Sequence, residues 1–252
     1  MSARRGTISN ERRARVKGIF EPIALVMGRA GLTPDALTLT GFGITLVGAV
    51  LLSQQLWLPG GLVVFAGGVF DMLDGTLARA TGRVSRLGAF MDSVFDRWGE
   101  AVVYLGLIAG LLAGGWADAP VYAGAAMGAA FMVSYVRARA EGLGFSAGTG
   151  MAAVGIMPRE VRLVVLTLGL VLAGVFGTGR PAVEGSTDAG GLPGAGGAAL
   201  PLGILTIEIA LAIIALGATI TVIQRILHVR AQDRQQALTN PPTAQHEQRR
   251  PA

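Results

Sequence analysis

The 252 residues are 52% apolar and only 15% charged, with 38 glycines and a mean hydropathy of +0.55. A water-facing globular surface uses about 25% charged residues, so the composition excludes an ordinary soluble enzyme, a disordered chain and a coiled coil, and leaves an integral membrane protein. The net charge of +5 and pI near 10.6 would suit a nucleic-acid binder, but the basic residues fall between apolar runs and not on one patch, so no nucleic acid is expected. With no cysteine, a disulfide framework, a thiolate metal site and a cysteine nucleophile are excluded as well.

Residues 1–30 read as a leader and juxtamembrane helix. Arg12, Arg13, Arg15 and Lys17 precede Ile19, Phe20, Ile23, Leu25, Val26 and Met27, a pattern that predicts an amphipathic helix over 9–30 lying on anionic lipid. The polar start, with Glu21 and Pro22 breaking the apolar stretch, does not read as a secretory signal. A helix needs about 20 residues to cross a ~30 Å hydrocarbon core, and six segments qualify: 36–57, 60–81, 87–114, 119–141, 161–178 and 200–228. The fold class predicted is therefore all-α and integral to the membrane, six transmembrane helices preceded by an N-terminal interfacial helix. The helical domain covers 31–229. The segment 179–199 is glycine-rich without apolar period and reads as a connector, and 230–252, rich in Gln, Arg and Pro, reads as a disordered tail. Of the 21 lysines and arginines, all but Arg180 fall on the side of the termini and of the 79–97 and 137–162 connections, which predicts that side to be cytoplasmic.

The chemistry concentrates in Asp71, Asp74, Asp92 and Asp96. Ionisable residues inside spans cost at least ~2.5–3.5 kcal/mol each near mid-membrane and default to a functional role. Asp71 and Asp74 share one helical face, as do Asp92 and Asp96. The short loop between the two helices makes them antiparallel neighbours, so the faces can meet. Asp74 sits near ~10 Å deep at 1.5 Å per residue, at the level of a lipid phosphate. Four carboxylates without His or Cys favour hard cations, Mg²⁺ or Mn²⁺, and suit two ions ~3.5–4 Å apart, an arrangement used in phosphoryl chemistry. Gly75, Ala78 and Gly88, each one turn from an aspartate, clear the helix surfaces beside them.

The stretch from Asp71 to Asp96, DMLDGTLARATGRVSRLGAFMDSVFD, resembles the signature of the CDP-alcohol phosphatidyltransferase family at Asp71, Asp74, Gly75, Ala78, Arg79, Gly88, Asp92 and Asp96. The resemblance implies transfer of a phosphatidyl group from a CDP-linked lipid to an alcohol with release of CMP. It also implies two Mg²⁺ ions, Mn²⁺ being possible, held by Asp71, Asp74 and Asp92, with Asp96 touching one of them and acting as the base. Gly75, Arg79 and Ser85, and the stretch Pro34, Asp35, Ala36 and Leu37, resemble the family's CDP-diacylglycerol contacts; read by themselves, the last four also make an ordinary helix start. The family's dimeric habit implies a homodimer in the cell membrane.

For the acceptor, Ser134, Arg137, Arg162 and Arg225 resemble the residues that hold the phosphate of inositol phosphate in actinobacterial phosphatidylinositol phosphate synthases, with Arg137 standing at a lysine position. Arg and Lys differ in geometry and hydration. The three arginines are expected to converge beside Asp96, whereas Arg139, Arg159 and Arg230 read as ordinary positive-inside anchors. Two alternatives stay open: glycerol 3-phosphate as acceptor, in the manner of a phosphatidylglycerophosphate synthase, and a divalent-cation transporter. A transporter places its acids near the midplane at broken helices. Glu208, toward the opposite side, has no role in this reading.

Overall fold

The computed structural model describes residues 22, 25–145, 151–178 and 202–239. Among them are six long helices and no strand: α1 (Pro34–Ser53), α2 (Trp57–Ala80), α3 (Arg86–Ala113), α4 (Ala119–Gly142), α5 (Arg159–Phe176) and α6 (Leu202–Thr239), with a 3₁₀ turn at Met151–Ala153. They match the six apolar segments read from the sequence to within a few residues, except that α6 continues to Thr239. Residues 230–239 of the expected tail are thus helical, and 240–252 lies outside the described residues. The same holds for 179–199 and for most of the expected interfacial helix over 9–30, of which residues 25–29 are helical.

Four helices, α1, α2, α4 and α6, are long and apolar enough to cross a bilayer. The other two, α3 and α5, are interrupted by charge: Asp92, Asp96, Arg97 and Glu100 on one, Arg159, Glu160 and Arg162 on the other. The bundle shows large apolar side chains outward, among them Val47, Leu62, Leu105, Val121, Leu168 and Leu216. Such a surface is costly in water and neutral in lipid, and the molecule is an integral membrane protein.

The interior forms because small residues let helix axes approach. α1 packs against both α2 and α3, and its contact with α3 is backbone on backbone: a Cβ placed on Gly106 would stand 2.2 Å from the carbonyl oxygen of Ala49, and one on Gly110 2.2 Å from that of Leu52. Leu52, Trp57, Val64, Tyr104, Leu107, Leu170 and Leu211 fill the centre. A second, smaller cluster of Leu37, Leu73 and Leu77, with Met27 and Phe70 against it, seats the start of α1 on the end of α2. Gly106→Ala should therefore push α1 off α3 and cost about 1–3 kcal/mol by overpacking. The readout is a lower thermal midpoint of the detergent-solubilised chain, and an unchanged midpoint would overturn this account of the contact.

Candidate active site

The loop between α2 and α3 fixes how the acidic pairs face each other. α2 ends at Thr81, and Gly82 takes the left-handed conformation (φ 67°) that only glycine adopts without strain. The Arg83 amide then donates back to the Ala78 carbonyl at 2.9 Å, closing a Schellman-type turn. The Ser85 hydroxyl accepts from the Gly88 amide at 2.9 Å and caps α3. With both ends fixed, α3 returns alongside α2, and carboxylate oxygens of Asp71, Asp74 and Asp92 all come within 4.8 Å of one another.

Asp74 is buried, at 4% exposure. Its carboxylate accepts from the Thr38 hydroxyl on α1 and from the Gly75 amide, so its orientation is set by a side chain of the neighbouring helix and by the main chain of its own. Oxygen ligands of a divalent ion lie about 2.0–2.6 Å from it, hence up to about 5 Å from each other. The observed trio fits one hard cation: all-oxygen, anionic, close and pre-oriented.

Asp96, expected beside this trio, is held by arginines. One of its oxygens accepts from Arg97 Nη1 at 3.1 Å, and the other from Arg159 Nη1, which also donates to Asp71. Arg159 is thus no simple anchor. It enters from the first turn of α5 and bridges the two acidic helices.

A cavity of about 460 Å³ opens beside Asp92 and Asp96, lined also by Arg97, Ser134, Arg137 and Glu141. Ser134 and Arg137 stand where the sequence placed them, with Arg137 Nε 3.0 Å from Glu141. The other two arginines of the expected clamp do not line this cavity. Arg162, 3% exposed, forks onto Glu100 at 2.8 and 2.9 Å and donates to the Met157 carbonyl at 3.0 Å. Arg225, 4% exposed, donates to the carbonyls of Val133 and Val154. Since Val133 precedes Ser134, Arg225 stands directly behind the cavity wall, within electrostatic reach of Arg137 and Arg162. Of the three arginines expected beside Asp96, Arg137 alone lines this cavity, because sequence spacing gives a helix face but not what a long side chain meets there.

On the other flank, Pro34, Asp35, Ala36 and Leu37 form the first turn of α1, with the Thr33 hydroxyl accepting from the Ala36 amide at 3.2 Å. Leu37 is turned into the core, and its amide, like that of Ala36, is taken by Thr33. Asp35 comes close to Ser85 and Gly88: a Cβ on Gly88 would stand 2.9 Å from the Ser85 hydroxyl and 3.8 Å from Asp35 Oδ1. The Arg79 guanidinium lies over Gly75, 3.3 Å from where a Cβ would be. Thr38, Arg97, Glu100 and Arg159 were missed in the sequence reading. Glu100 and Thr38 had a signal, each one turn beyond a residue already singled out. Arg159 had none, its partners being supplied by the tertiary fold.

A search of known families matches residues 31–231 to the CDP-alcohol phosphatidyltransferase model. The chain is 37% identical over 154 residues to the archaetidylinositol phosphate synthase of Pyrococcus horikoshii, covering 61% of this chain and 77% of that one. It is 35% identical over 181 residues to the phosphatidylinositol phosphate synthase of Mycobacteroides abscessus, covering 70% and 77%. Among solved structures it resembles the phosphatidylinositol phosphate synthase of Mycobacterium tuberculosis at 27% identity and a TM-score of 0.63. One such structure, in complex with manganese and citrate, covers 83% of this chain and 88% of that one, and another with CDP-DAG bound covers 84% and 93%. With the match running from the first turn of α1 into α6, and with its acidic helices paired as described, this chain belongs to the CDP-alcohol phosphatidyltransferase family and is a membrane-embedded, metal-binding transferase.

Proposed function

We propose that the protein transfers the phosphatidyl group of CDP-diacylglycerol to a hydroxyl of myo-inositol 1-phosphate, giving phosphatidylinositol phosphate and CMP. The observation that carries this reading is the cavity in which Ser134 and Arg137 face Asp92 and Asp96, with the buried Arg225 behind it. Arg225 is bonded to main-chain carbonyls, which leave its charge in place, and of its charged neighbours two are cations, Arg137 and Arg162, against the single anion Glu141. An acceptor bearing a phosphate brings further negative charge to these cationic surroundings. Both kinds of relative carry inositol phosphate in their names while differing in the lipid, which favours inositol phosphate over glycerol 3-phosphate. The acids gather toward one end of α2 and α3, at unbroken helix, which disfavours a cation transporter.

Asp71, Asp74 and Asp92, with Asp96, would hold two Mg²⁺ (or Mn²⁺) ions, which when bound would supply charge neutralisation of the diphosphate and of the departing CMP. The chain does the rest. The first turn of α1, Pro34–Leu37, flanks the seat for the CDP moiety, and Gly75, Arg79 and Ser85 complete it. Ser134 and Arg137 hold the acceptor's phosphate, by charge-assisted bonds in the case of Arg137, and aim its hydroxyl at Asp96. One carboxylate oxygen of Asp96 takes the hydroxyl proton as the new P–O bond forms. The bond between the phosphatidyl phosphorus and CMP breaks, and CMP leaves with that electron pair. We place the enzyme as a multi-pass protein in the cell (plasma) membrane, a homodimer, with termini and active site cytoplasmic. The exclusion of basic residues from the other side, save Arg180, and the family resemblance support this placement.

The test uses the full chain in lipid nanodiscs with CDP-diacylglycerol and Mg²⁺, measuring CMP release against inositol 1-phosphate, glycerol 3-phosphate, serine and free inositol. Inositol 1-phosphate should be preferred. A preference for glycerol 3-phosphate would overturn the acceptor and leave the chemistry intact, and no CMP with any acceptor would overturn the reaction class.

A further inference from the structure

Arg159 is the feature that the reaction, as derived, leaves without a task. A single nitrogen, Nη1, contacts both Asp71 and Asp96. A point within hydrogen-bond reach of two carboxylates on facing helices is also a point where a divalent ion would meet both. The trio of Asp71, Asp74 and Asp92 stands ready for one ion, whereas the second position, the one that involves Asp96, is taken by the protein's own cation. Asp71 belongs to both.

We propose that Arg159 is a built-in, displaceable counter-cation for the second metal position, so that the two ions bind unequally and in order. The first enters the Asp71–Asp74–Asp92 trio, of which Arg159 is hydrogen-bonded to one member, Asp71. The second enters between Asp71 and Asp96 only as the guanidinium withdraws. The inference rests on the two-metal reading above and adds to it an internal competitor.

The surroundings give the displaced side chain somewhere to go. Arg159 is on the first turn of α5, its side chain 36% exposed, so it is not locked by packing. It also lines a small cavity of about 50 Å³ together with Thr45, Gly68, Gly99 and Glu100. Glu100, which is also forked by Arg162, lies within electrostatic reach of it, so a carboxylate stays near the guanidinium after it leaves the aspartates. Holding Asp71 and Asp96 neutralised in the absence of the second ion has a physical purpose: two facing carboxylates with nothing between them repel, and would push α2 and α3 apart.

The test is a Mn²⁺ titration of the full chain in nanodiscs, without CDP-lipid or acceptor, reading bound and free Mn²⁺ by electron paramagnetic resonance. Wild type should show one tight and one weak ion. Arg159→Gln removes the competing charge, so the weak ion should tighten by about tenfold or more, the scale of a lost charged hydrogen bond. The tight ion should remain, which also reports that the variant is folded. Arg159→Lys keeps a charge on a shorter and more strongly hydrated side chain, and its weak constant should fall between the two. Any other order of the three weak constants overturns the proposal, including equality. Should Arg159→Gln lose the tight ion, the comparison of wild type with Arg159→Lys decides alone: a weak ion bound no more tightly in Arg159→Lys than in wild type overturns the counter-cation. Absence of bound Mn²⁺ from wild type is a different outcome, overturning the two-metal reading itself and this proposal with it.

Discussion

Asp71→Asn and Asp92→Asn should each abolish CMP release, by about 10³-fold or more, while leaving the helical fold intact. The magnitude follows from the several kcal/mol that metal ions contribute to neutralising a transferring phosphoryl group, each ~1.4 kcal/mol being tenfold in rate. Each change is isosteric and removes one anion from a trio whose oxygens lie within 4.8 Å. The neutral amide still fits the space, and carboxylate crowding falls, so the thermal midpoint of the metal-free protein should hold or rise. The tight Mn²⁺ should be lost together with turnover. Asp96→Asn separates the roles: Asp96 stands outside the trio, so this variant should retain the tight ion and bind CDP-diacylglycerol but fail to turn over. Activity in Asp71→Asn or Asp92→Asn within tenfold of wild type would overturn the assignment of the trio. Loss of nucleotide-lipid binding in Asp96→Asn as complete as in Asp71→Asn would make Asp96 a ligand and place the base elsewhere.

The second large effect belongs to Arg162. Its guanidinium is 3% exposed and forked onto Glu100, whose side chain is 11% exposed, and it also ties the Met157 carbonyl to α5. Arg162→Ala strips Glu100 of its hydrogen-bonded cation in a low-dielectric interior, a loss of about 3–5 kcal/mol, a large part of the stability of a typical domain. The thermal midpoint of the purified protein should fall sharply, and Glu100→Gln added to Arg162→Ala should recover part of the loss, because the stranded charge is then gone. No recovery would mean that the cost lies in packing and in the Met157 contact. Arg137→Ala is the contrasting case. Arg137 lines the open cavity, and its ion pair with Glu141 is exposed on both sides, so it contributes little to stability. This variant should keep the wild-type midpoint and raise the apparent KM for inositol phosphate by about tenfold, the scale of a charged hydrogen bond, with the KM for CDP-diacylglycerol little changed.

Much of this protein is determined by its sequence alone. The six helices follow from apolar runs of membrane length, and apart from the end of α6 their ends fall within a few residues of where hydropathy places them, because a span's length is set by the bilayer and not by its neighbours. The encounter of Asp71, Asp74 and Asp92 follows from helical spacing plus a loop too short to allow anything but an antiparallel return. The end of α6 was not legible: a polar stretch of Gln and Arg has good intrinsic helix propensity, and composition alone does not separate a continued helix from a disordered tail. The arginines needed the tertiary structure most. Arg137, Arg159, Arg162 and Arg225 are all cations near the ends of apolar runs, and the sequence separates only Arg159, as an anchor, from the other three. Yet one faces the cavity, one bridges Asp71 and Asp96, one is forked onto Glu100, and one is bonded to the carbonyls of Val133 and Val154. A guanidinium on a long flexible stem reaches several ångströms from its Cα, and its partner is whichever acceptor the packing of other helices brings within that reach.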